Sequence, residues 1–334
     1  MFKPTKRSIS ILGALVASLT VHHASAQVPT VKVDGSSTVY PVIEAVAEEF
    51  QKAKKNATRV TVGVSGTGGG FKKFCRNEID ISNASRPILK SEMEDCAKAG
   101  IRYFELPIAF DALTVVVNSN NTFLKQITVD ELRRMWEPGA QGKITRWNQV
   151  NPAWPDQPIK LFGAGADSGT FDYFTEAIVG KSKSSRGDFT ASEDDNVLVQ
   201  GVIRDSNALA FFGFAYYAEN AAKLRAVPIV ARNTTSAILP SEKSVLDGSY
   251  QPLSRPIFVY VNEASMKKPE VREFVEYAMK HGAKLSKEVR YVPLPAQAYD
   301  QNIANINRNK LGTVFGGVAE VGVRIEELMR REAR

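Results

Sequence analysis

The sequence predicts an α/β protein with two lobes, each a mostly parallel sheet flanked by helices. Strand and helix patterns alternate from residue 31 onward, and such βαβα order favours parallel strands with helices on their faces. Two long apolar runs, 111–118 and 255–262, are typical of strands buried on both sides. We expect these two strands to cross between the lobes, with the second lobe inserted into the first.

Length and composition agree with two globular units. The chain has 334 residues, of which 43% are hydrophobic and 24% are charged, and this excludes a mostly disordered or coiled-coil protein. A chain of that length suffices for about two domains, each with its own core. We assign residues 27–115 and 256–334 to lobe I and residues 116–255 to lobe II.

The individual elements follow from the spacing of the apolar residues. The predicted strands and helices are, in order, strands at 31–33, 60–64, 111–118, 159–162 and 255–262, and helices at 39–54, from about Gly69, at 128–136, at 171–179 and around Val271–Met279. A last helix carries Val318, Val321, Ile325 and Leu328. His281 and Gly282 predict the end of the helix around Val271–Met279, since a cation and a C-cap glycine both favour a helix C-terminus.

Residues 1–26 predict a secretory signal peptide. Lys3, Lys6 and Arg7 precede an apolar stretch, and Ala24-Ser25-Ala26 supplies a small-residue cleavage site. The apolar stretch is shorter than the roughly 20 residues that span a membrane. We therefore expect a soluble periplasmic protein. Because no cysteine stands at the cleavage site, we expect no lipid anchor.

Export also bears on the charge and on the cysteines. The full chain has a formal net charge of +7, and three of its cations lie in the predicted signal peptide. The positive charge that remains is mild, so the sequence does not require a nucleic-acid partner. Thiols in an oxidising compartment tend to pair. The chain has two cysteines, Cys75 and Cys96, and we predict a disulfide between them.

Histidine is scarce, and this narrows the possible chemistry. Beyond the leader, His281 is the single histidine. One histidine cannot build a multi-His metal site, and a Ser-His-Asp hydrolase would need it beside a nucleophile. We expect no metal, no cofactor and no enzymatic activity.

Three segments between a strand and a helix combine hydroxyls with glycines: Asp34–Thr38, Ser65–Gly70 and Asp167–Thr170. A helix N-terminus leaves backbone amides unpaired and carries about half a positive charge, so it favours an anion. One Ser or Thr at such a position is usually an N-cap. Three of these segments at the ligand-binding edge of an α/β sheet predict a joint anion site.

A fourth segment, Asp80–Pro87, adds Asn83 and Arg86. Arg86 offers a planar guanidinium that suits a tetrahedral oxyanion, and a surface salt bridge is the alternative role. Asn83 can both donate and accept a hydrogen bond. Asp80 could hold Arg86 in place.

At these residues the sequence resembles the periplasmic phosphate-binding proteins of the Pst-type ABC importer. The resemblance rests on Val33–Pro41, Gly66–Lys73, Asp80–Pro87 and Asp167–Phe171 in that order, and it covers essentially the whole mature chain. It implies a two-lobed, type 2 periplasmic-binding fold that closes on one phosphate ion. It also implies delivery of the ion to membrane ABC permease subunits, and we expect the receptor to be a monomer.

The resemblance further implies a set of phosphate ligands. They are Ser37, Thr38, Ser65, Thr67, Gly68, Asn83, Arg86, Ser168, Gly169 and Thr170, with Arg86 supplying the positive charge. Two positions depart from better-known members, which have an Arg where Ala164 stands and an Asp where Asn83 stands. Such an Asp would accept the proton of phosphate and repel fully ionised sulfate. Here Asp34, Asp80 or Asp167 would have to supply that repulsion.

The sequence therefore predicts a phosphate receptor and leaves three alternatives open. One is a receptor for another tetrahedral oxyanion, such as sulfate, arsenate or molybdate. The second is an exported phosphatase with Ser65 or Ser168 as its nucleophile. The third is an adhesive or scaffold protein.

Overall fold

The computed structural model describes residues 28–318 and 320–332, so the predicted signal peptide lies outside the described residues. The strands are β1 (Thr30–Gly35), β2 (Arg59–Val62), β3 (Ile81–Ala84), β4 (Tyr103–Asn118), β5 (Ile127–Thr128), β6 (Lys160–Ala164), β7 (Thr190–Ser192), β8 (Ala208–Gly213), β9 (Leu224–Ala226), β10 (Ile229–Val230), β11 (Ala237–Ile238), β12 (Ser254–Asn262) and β13 (Val292–Pro293). The helices are α1 (Tyr40–Ala53), α2 (Gly66–Cys75), α3 (Lys90–Lys98), α4 (Val129–Trp136), α5 (Trp147–Val150), α6 (Gly169–Val179), α7 (Asp195–Arg204), α8 (Phe214–Glu219), α9 (Glu242–Leu246), α10 (Pro269–Glu288), α11 (Ala296–Asn307) and α12 (Ile325–Glu332).

The main sheet is mixed, with the order β2-β1-β3-β12-β4-β8-β6-β7, and β13 and β9 also pair with β4. The strands near its two ends are parallel, as predicted: β1 runs with β2 and β3, and β6 runs with β7 and β8. The central strands β4 and β12 run antiparallel to their neighbours β8, β3 and each other. The chain passes from the group of β1, β2 and β3 to the group of β6, β7 and β8 along β4, and it returns along β12. Because these two strands run in opposite directions, the middle of the sheet is antiparallel.

The two predicted crossing strands are β4 and β12. The first part of β4, Tyr103–Ala112, pairs with β12, and its second part, from Leu113, pairs with β8. All 16 residues of β4 are buried, and the predicted strand at 111–118 covers only its second half. We name β2, β1, β3, β12 and the first part of β4 the first sheet segment, and the second part of β4 with β8, β6 and β7 the second sheet segment. The lobe boundaries stay a prediction.

Helix α10 confirms one predicted apolar face and corrects a predicted helix end. Its buried side chains include Val271, Phe274, Val275, Ala278 and Met279, as the spacing indicates. The helix does not end at His281 but continues to Glu288. His281 packs against Tyr277 with ring centroids 4.2 Å apart. Gly282 is not a C-cap: a Cβ built on it would lie 2.7 Å from the ring of Tyr299. A small residue is therefore needed where α10 meets α11.

The predicted last helix is wrong in its first half. Helix α12 begins at Ile325, so Val318 and Val321 precede it, and Val318 is 58% exposed. The reason is the backbone nearby, because Gly316, Gly317 and Gly322 have φ values of 61°, 84° and 74°. A left-handed conformation interrupts a right-handed helix.

The predicted disulfide is confirmed. Cys75 at the end of α2 is bonded to Cys96 in α3, and the two residues are 21 positions apart. The bond holds the C-terminal end of the helix whose N-terminal end carries the glycine-rich segment. Among the described helices, none is both long and apolar enough to cross a bilayer.

Candidate functional site

Four buried hydroxyl side chains, which we name the hydroxyl cluster, meet where α1, α2 and α6 begin: Thr38, Thr67, Ser85 and Thr170. The hydroxyl oxygens of Thr38 and Thr170 are 2.7 Å apart, although 132 residues separate them in the chain. The hydroxyl oxygens of Thr67 and Ser85 are 3.2 Å apart, and the Ser85 amide donates to Thr67 Oγ1 at 3.1 Å. The cluster therefore gathers all four predicted segments, and Ser85 in the loop after β3 represents the fourth.

Gly169, the first residue of α6, connects the two hydroxyl pairs. It precedes Thr170, and a Cβ built on it would lie 2.4 Å from Thr67 Oγ1 and 2.7 Å from Ser85 Oγ. Side chains do not approach that closely, so this position requires glycine. The first amides of α6 consequently lie directly against the hydroxyls of α2 and the β3 loop.

Arg255, which was not predicted, supplies a positive charge at the hydroxyl cluster. Its side chain is 1% exposed. Its Nη2 donates to Thr170 Oγ1 at 2.8 Å and to Thr38 Oγ1 at 3.4 Å, and its Nη1 donates to the Gly169 carbonyl oxygen at 3.3 Å. One guanidinium thus contacts both Thr38, at the start of α1, and Thr170, in the first turn of α6.

Asp111 holds Arg255 in place. The two residues face each other in the β4–β12 ladder, and Arg255 Nη2 donates to Asp111 Oδ2 at 3.0 Å. The sequence contains a signal that could have found this pair: Asp111 and Arg255 are the opposite charges that open the two predicted apolar strands. Charges beside strands buried on both faces have to be paired.

Several of the predicted ligands are already engaged in other hydrogen bonds. Ser168 Oγ accepts from the Thr170 amide at 3.1 Å and so acts as an ordinary N-cap of α6. Ser65 Oγ donates to Asp34, the Gly68 amide donates to the Asp167 carbonyl at 2.7 Å, and the Ser37 carbonyl accepts from the Tyr216 hydroxyl at 2.8 Å. These side chains and amides lie beside the hydroxyl cluster, and their role as ligands stays a prediction.

Asn83, in contrast, has a side chain without hydrogen-bond partners among the described residues. It pairs with Gly35 at the end of β1, its side chain is fully buried, and its amide nitrogen and oxygen have no hydrogen-bond partner within the described part of the chain. A buried amide without partners is costly. Asn83 is therefore a polar group held ready to donate and to accept.

Arg86 is bound on three sides by the protein itself. Its Nε donates to Asp172 Oδ2 at 2.6 Å, and its two terminal nitrogens donate to the carboxylate of Glu92 at 2.8 Å each. The expected partner is wrong, because Asp80 instead accepts from Lys268 at 2.8 Å and from Ser265 at 2.7 Å. The charge of Arg86 is balanced by two carboxylates, and a direct contact with a ligand stays a prediction.

The three carboxylates expected to repel sulfate are each paired with a lysine. Asp34 accepts from Lys73 at 2.7 Å, and Asp167 accepts from Lys72 at 2.9 Å. The third, Asp80, is paired with Lys268. Their charges are therefore offset locally, and the carboxylate joined to the hydroxyl cluster through Arg255 is Asp111.

Comparison with known proteins agrees with this geometry. Residues 20–281 match the family profile described as the PBP superfamily domain. The chain is 54% identical over 334 residues to Protein SphX of Synechococcus elongatus, and the match covers 99% of this chain and 98% of that protein. It is 37% identical over 289 residues to Phosphate-binding protein PstS of Staphylococcus saprophyticus, with 86% of this chain and 85% of that protein covered.

Solved structures give the same result. A crystal structure described as a possible phosphate binding protein from Planctomyces limnophilus has 46% sequence identity and a TM-score of 0.61, and the match covers 84% of this chain and 99% of that one. A putative phosphate ABC transporter substrate-binding protein from Clostridium perfringens shares the fold, with a TM-score of 0.67, 24% identity, and 80% and 100% of the two chains covered. The chain therefore belongs to the PBP superfamily, in the family that contains SphX and the phosphate-binding protein PstS.

Proposed function

We propose that this protein is a receptor that binds inorganic phosphate at the hydroxyl cluster. The observation that carries the proposal is the contact of Arg255 with both Thr38 and Thr170, at 3.4 and 2.8 Å. It places a buried guanidinium among hydroxyls that come from separate parts of the chain. Guanidinium and hydroxyl donors around the first turns of helices are what a small tetrahedral anion requires.

The donors differ in how the anion would use them. Thr38, Thr67, Ser85 and Thr170 are paired with one another, and each hydroxyl can rotate its proton toward an incoming oxygen. The amides of the first turn of α6 are fixed by the helix. Arg255 would contribute the positive charge that the resemblance assigned to Arg86.

The names of the relatives support the ligand and the wider role. PstS is named as a phosphate-binding protein, and the Clostridium perfringens protein is described with bound phosphate. By extension, this receptor works in the periplasm as a monomer and delivers phosphate to ABC permease subunits. The ion lies between lobe I (27–115 and 256–334) and lobe II (116–255), whose closure it stabilises, because it contacts both lobes only when they are closed.

Selectivity would then rest on Asn83. Its side-chain oxygen can accept a hydrogen bond from the O–H group of monohydrogen phosphate, while its nitrogen donates to another phosphate oxygen. An amide lacks the charge of a carboxylate, so it repels sulfate less. Sulfate, arsenate and molybdate are therefore the informative competitors.

A binding role fits the site better than phosphatase chemistry. Ser168, one of the two candidate nucleophiles, accepts the amide of Thr170 as a helix cap, and Ser65 is tied to Asp34, which also binds Lys73. Neither serine belongs to the hydroxyl cluster around Arg255. A receptor should bind phosphate without turning over a phosphoester.

Titration calorimetry of the dialysed, purified protein with phosphate tests the proposal. We expect one binding site, competition by arsenate, and weaker binding of sulfate. Incubation with a chromogenic phosphoester, with and without added zinc, should release no product. The absence of heat with phosphate, or turnover of the phosphoester, would refute the proposed function.

A further inference from the structure

A second acidic group, Asp195, begins α7 at the sheet edge where α6 and α8 also begin, because these helices follow the parallel strands β7, β6 and β8. It has no role in the binding scheme above. It is the first residue of α7, and its side chain is completely buried. Neither carboxylate oxygen has a hydrogen-bond partner of normal geometry among the described residues. Burial and the neighbouring carboxylate of Asp111 raise the pKa of Asp195 to about 7.

The ionisable groups around Asp195 come from several elements. Asp111 on β4 and Asp194, which caps α7, raise its pKa, whereas Arg255 on β12 and the nearby Gly213 amide lower it. Tyr216 on α8 and Tyr291 before β13 also lie close enough to interact with it. Their hydroxyls donate elsewhere, Tyr216 to the Ser37 carbonyl and Tyr291 to the Thr38 carbonyl. Among the described residues, no side chain therefore donates a hydrogen bond to Asp195.

The charges of Asp111, Arg255 and Asp195 determine how the protein responds when a phosphate ion binds nearby. Asp111 and Arg255 offset each other, so an ionised Asp195 would leave a net negative charge beside the site. A phosphate ion adds one or two more negative charges. Like charges within a buried region raise the pKa of the group that can accept a proton. Asp195 can accept it, because Asp111 is already bound to Arg255.

We propose that Asp195 takes up a proton when the anion binds, so that phosphate and a proton are captured together. This inference rests on the proposed function. Below neutrality Asp195 already carries its proton, and binding does not change its state. Above neutrality the free protein has lost the proton and must regain it, so affinity falls as the pH rises, by up to about tenfold per pH unit. The receptor would therefore release its ion more readily on the alkaline side.

Calorimetry with phosphate in two buffers of different ionisation enthalpy measures the protons taken up. The wild type, Asp195→Asn and Asp194→Asn are compared at several values between about pH 6 and pH 9. The ionisation of phosphate itself is common to all three proteins and cancels in the ratio of their association constants. Asp194→Asn removes a neighbouring, exposed carboxylate and keeps a residue that caps helices well.

We expect the wild type and Asp194→Asn to take up more protons above neutrality than Asp195→Asn, by up to one per ion. Equal uptake by all three proteins would refute the inference while leaving phosphate binding intact. If none of them binds phosphate, the proposed function fails instead.

A measurement on the wild type covers the case in which Asp195→Asn does not fold. In protein labelled with carbon-13 at the Asp carboxyl groups, one signal should titrate near neutrality and move toward the protonated position when phosphate is added. No Asp signal that responds to phosphate in this range would also refute the inference.

Discussion

Arg86 and Asp172 form an ion pair in which neither side chain has any exposed surface, with Arg86 Nε 2.6 Å from Asp172 Oδ2. Arg86 follows β3 of the first sheet segment, whereas Asp172 lies in α6, which follows β6 of the second. The pair therefore ties the two sheet segments together beside the hydroxyl cluster. Its effect on stability and its effect on binding can be measured separately.

Arg86→Ala should destabilise the fold by about 3–5 kcal/mol, because it leaves the buried carboxylate of Asp172 and the partly buried carboxylate of Glu92 without their partner. Urea denaturation measures this change in the free energy of unfolding. Lys72→Ala is the control: it breaks an exposed ion pair with Asp167, and such pairs contribute about 1 kcal/mol or less. We also expect Arg86→Ala to weaken phosphate binding far more than Lys72→Ala. Equal losses of unfolding free energy in the two variants would contradict the structural role of Arg86, and equal losses of phosphate affinity would contradict its role in binding.

Arg255→Lys should lower phosphate affinity by more than tenfold. A lysine retains the charge but cannot bridge Asp111, Thr38 and Thr170 in the plane that the guanidinium occupies. Calorimetry gives the affinity, and Arg272→Lys on the exposed face of α10 is the matched control. An unchanged affinity in Arg255→Lys would show that the guanidinium does not serve the anion.

Gly169→Ala should reduce phosphate affinity by at least tenfold, because its Cβ would overlap Thr67 Oγ1 and Ser85 Oγ. The hydroxyls or α6 would have to move apart. Gly139→Ala is the control, since a Cβ there meets no atom within 4 Å. Binding measured by calorimetry should be normal in the control. Normal binding in both variants would place the ion away from the start of α6.

Asn83→Asp should increase the preference for phosphate over sulfate. The new carboxylate can accept a hydrogen bond from the O–H group of phosphate, whereas it repels sulfate, which has no proton to donate. A competition titration at constant ionic strength measures the ratio of the two affinities. Asn120→Asp places the same charge at an exposed position and should leave the ratio unchanged. If both variants behave alike, Asn83 does not contact the ion.

Asp195→Asn should become more stable than the wild type as the pH rises. Asp195 has a folded-state pKa of about 7, above the ordinary value of about 3.9 for an unfolded chain. Between these values the folded protein binds the extra proton, so the wild type loses stability with rising pH. The loss is complete above about pH 7 and reaches up to about 4 kcal/mol.

Urea denaturation across pH 4–8 checks this relation in the absence of phosphate. Asp194→Asn should lose stability with rising pH in the same direction as the wild type, but over a somewhat lower pH range, because Asp194 contributes part of the raised pKa of Asp195. A constant difference between Asp195→Asn and the wild type at every pH would show that Asp195 keeps its ordinary pKa in the folded protein.

The local elements were predictable because their signals are local. The apolar stripe of α10, the capping box of α4 at Thr128 and Glu131, and the apolar run that became β4 all act over a few residues. The disulfide followed from the number of cysteines and the predicted compartment. The errors fall where tertiary contacts or backbone strain override a local pattern, as at Gly282 against Tyr299 and at the glycines before α12.

The residues of the site were predictable as candidates but not as a set. Thr38, Thr67, Gly169 and Thr170 stand in segments whose glycines and hydroxyls indicate helix starts near a ligand. Sequence could not separate them from Ser168, a helix cap, because a capping hydroxyl and a free one occupy the same kind of position. The two kinds of hydroxyl differ in the group that each one contacts: Ser168 contacts a backbone amide of its own helix, whereas Thr170 contacts Thr38 and Arg255.

By itself, the sequence determined the α/β class, the two crossing strands, the cysteine pair and the four segments that surround the site. Tertiary structure alone decided which cation reaches the hydroxyls. Arg255 and Asp111 are 144 residues apart, and they meet because β12 pairs with β4 in one register. Strand register is set by the packing of whole faces, so it brings together charges that no spacing along the chain connects.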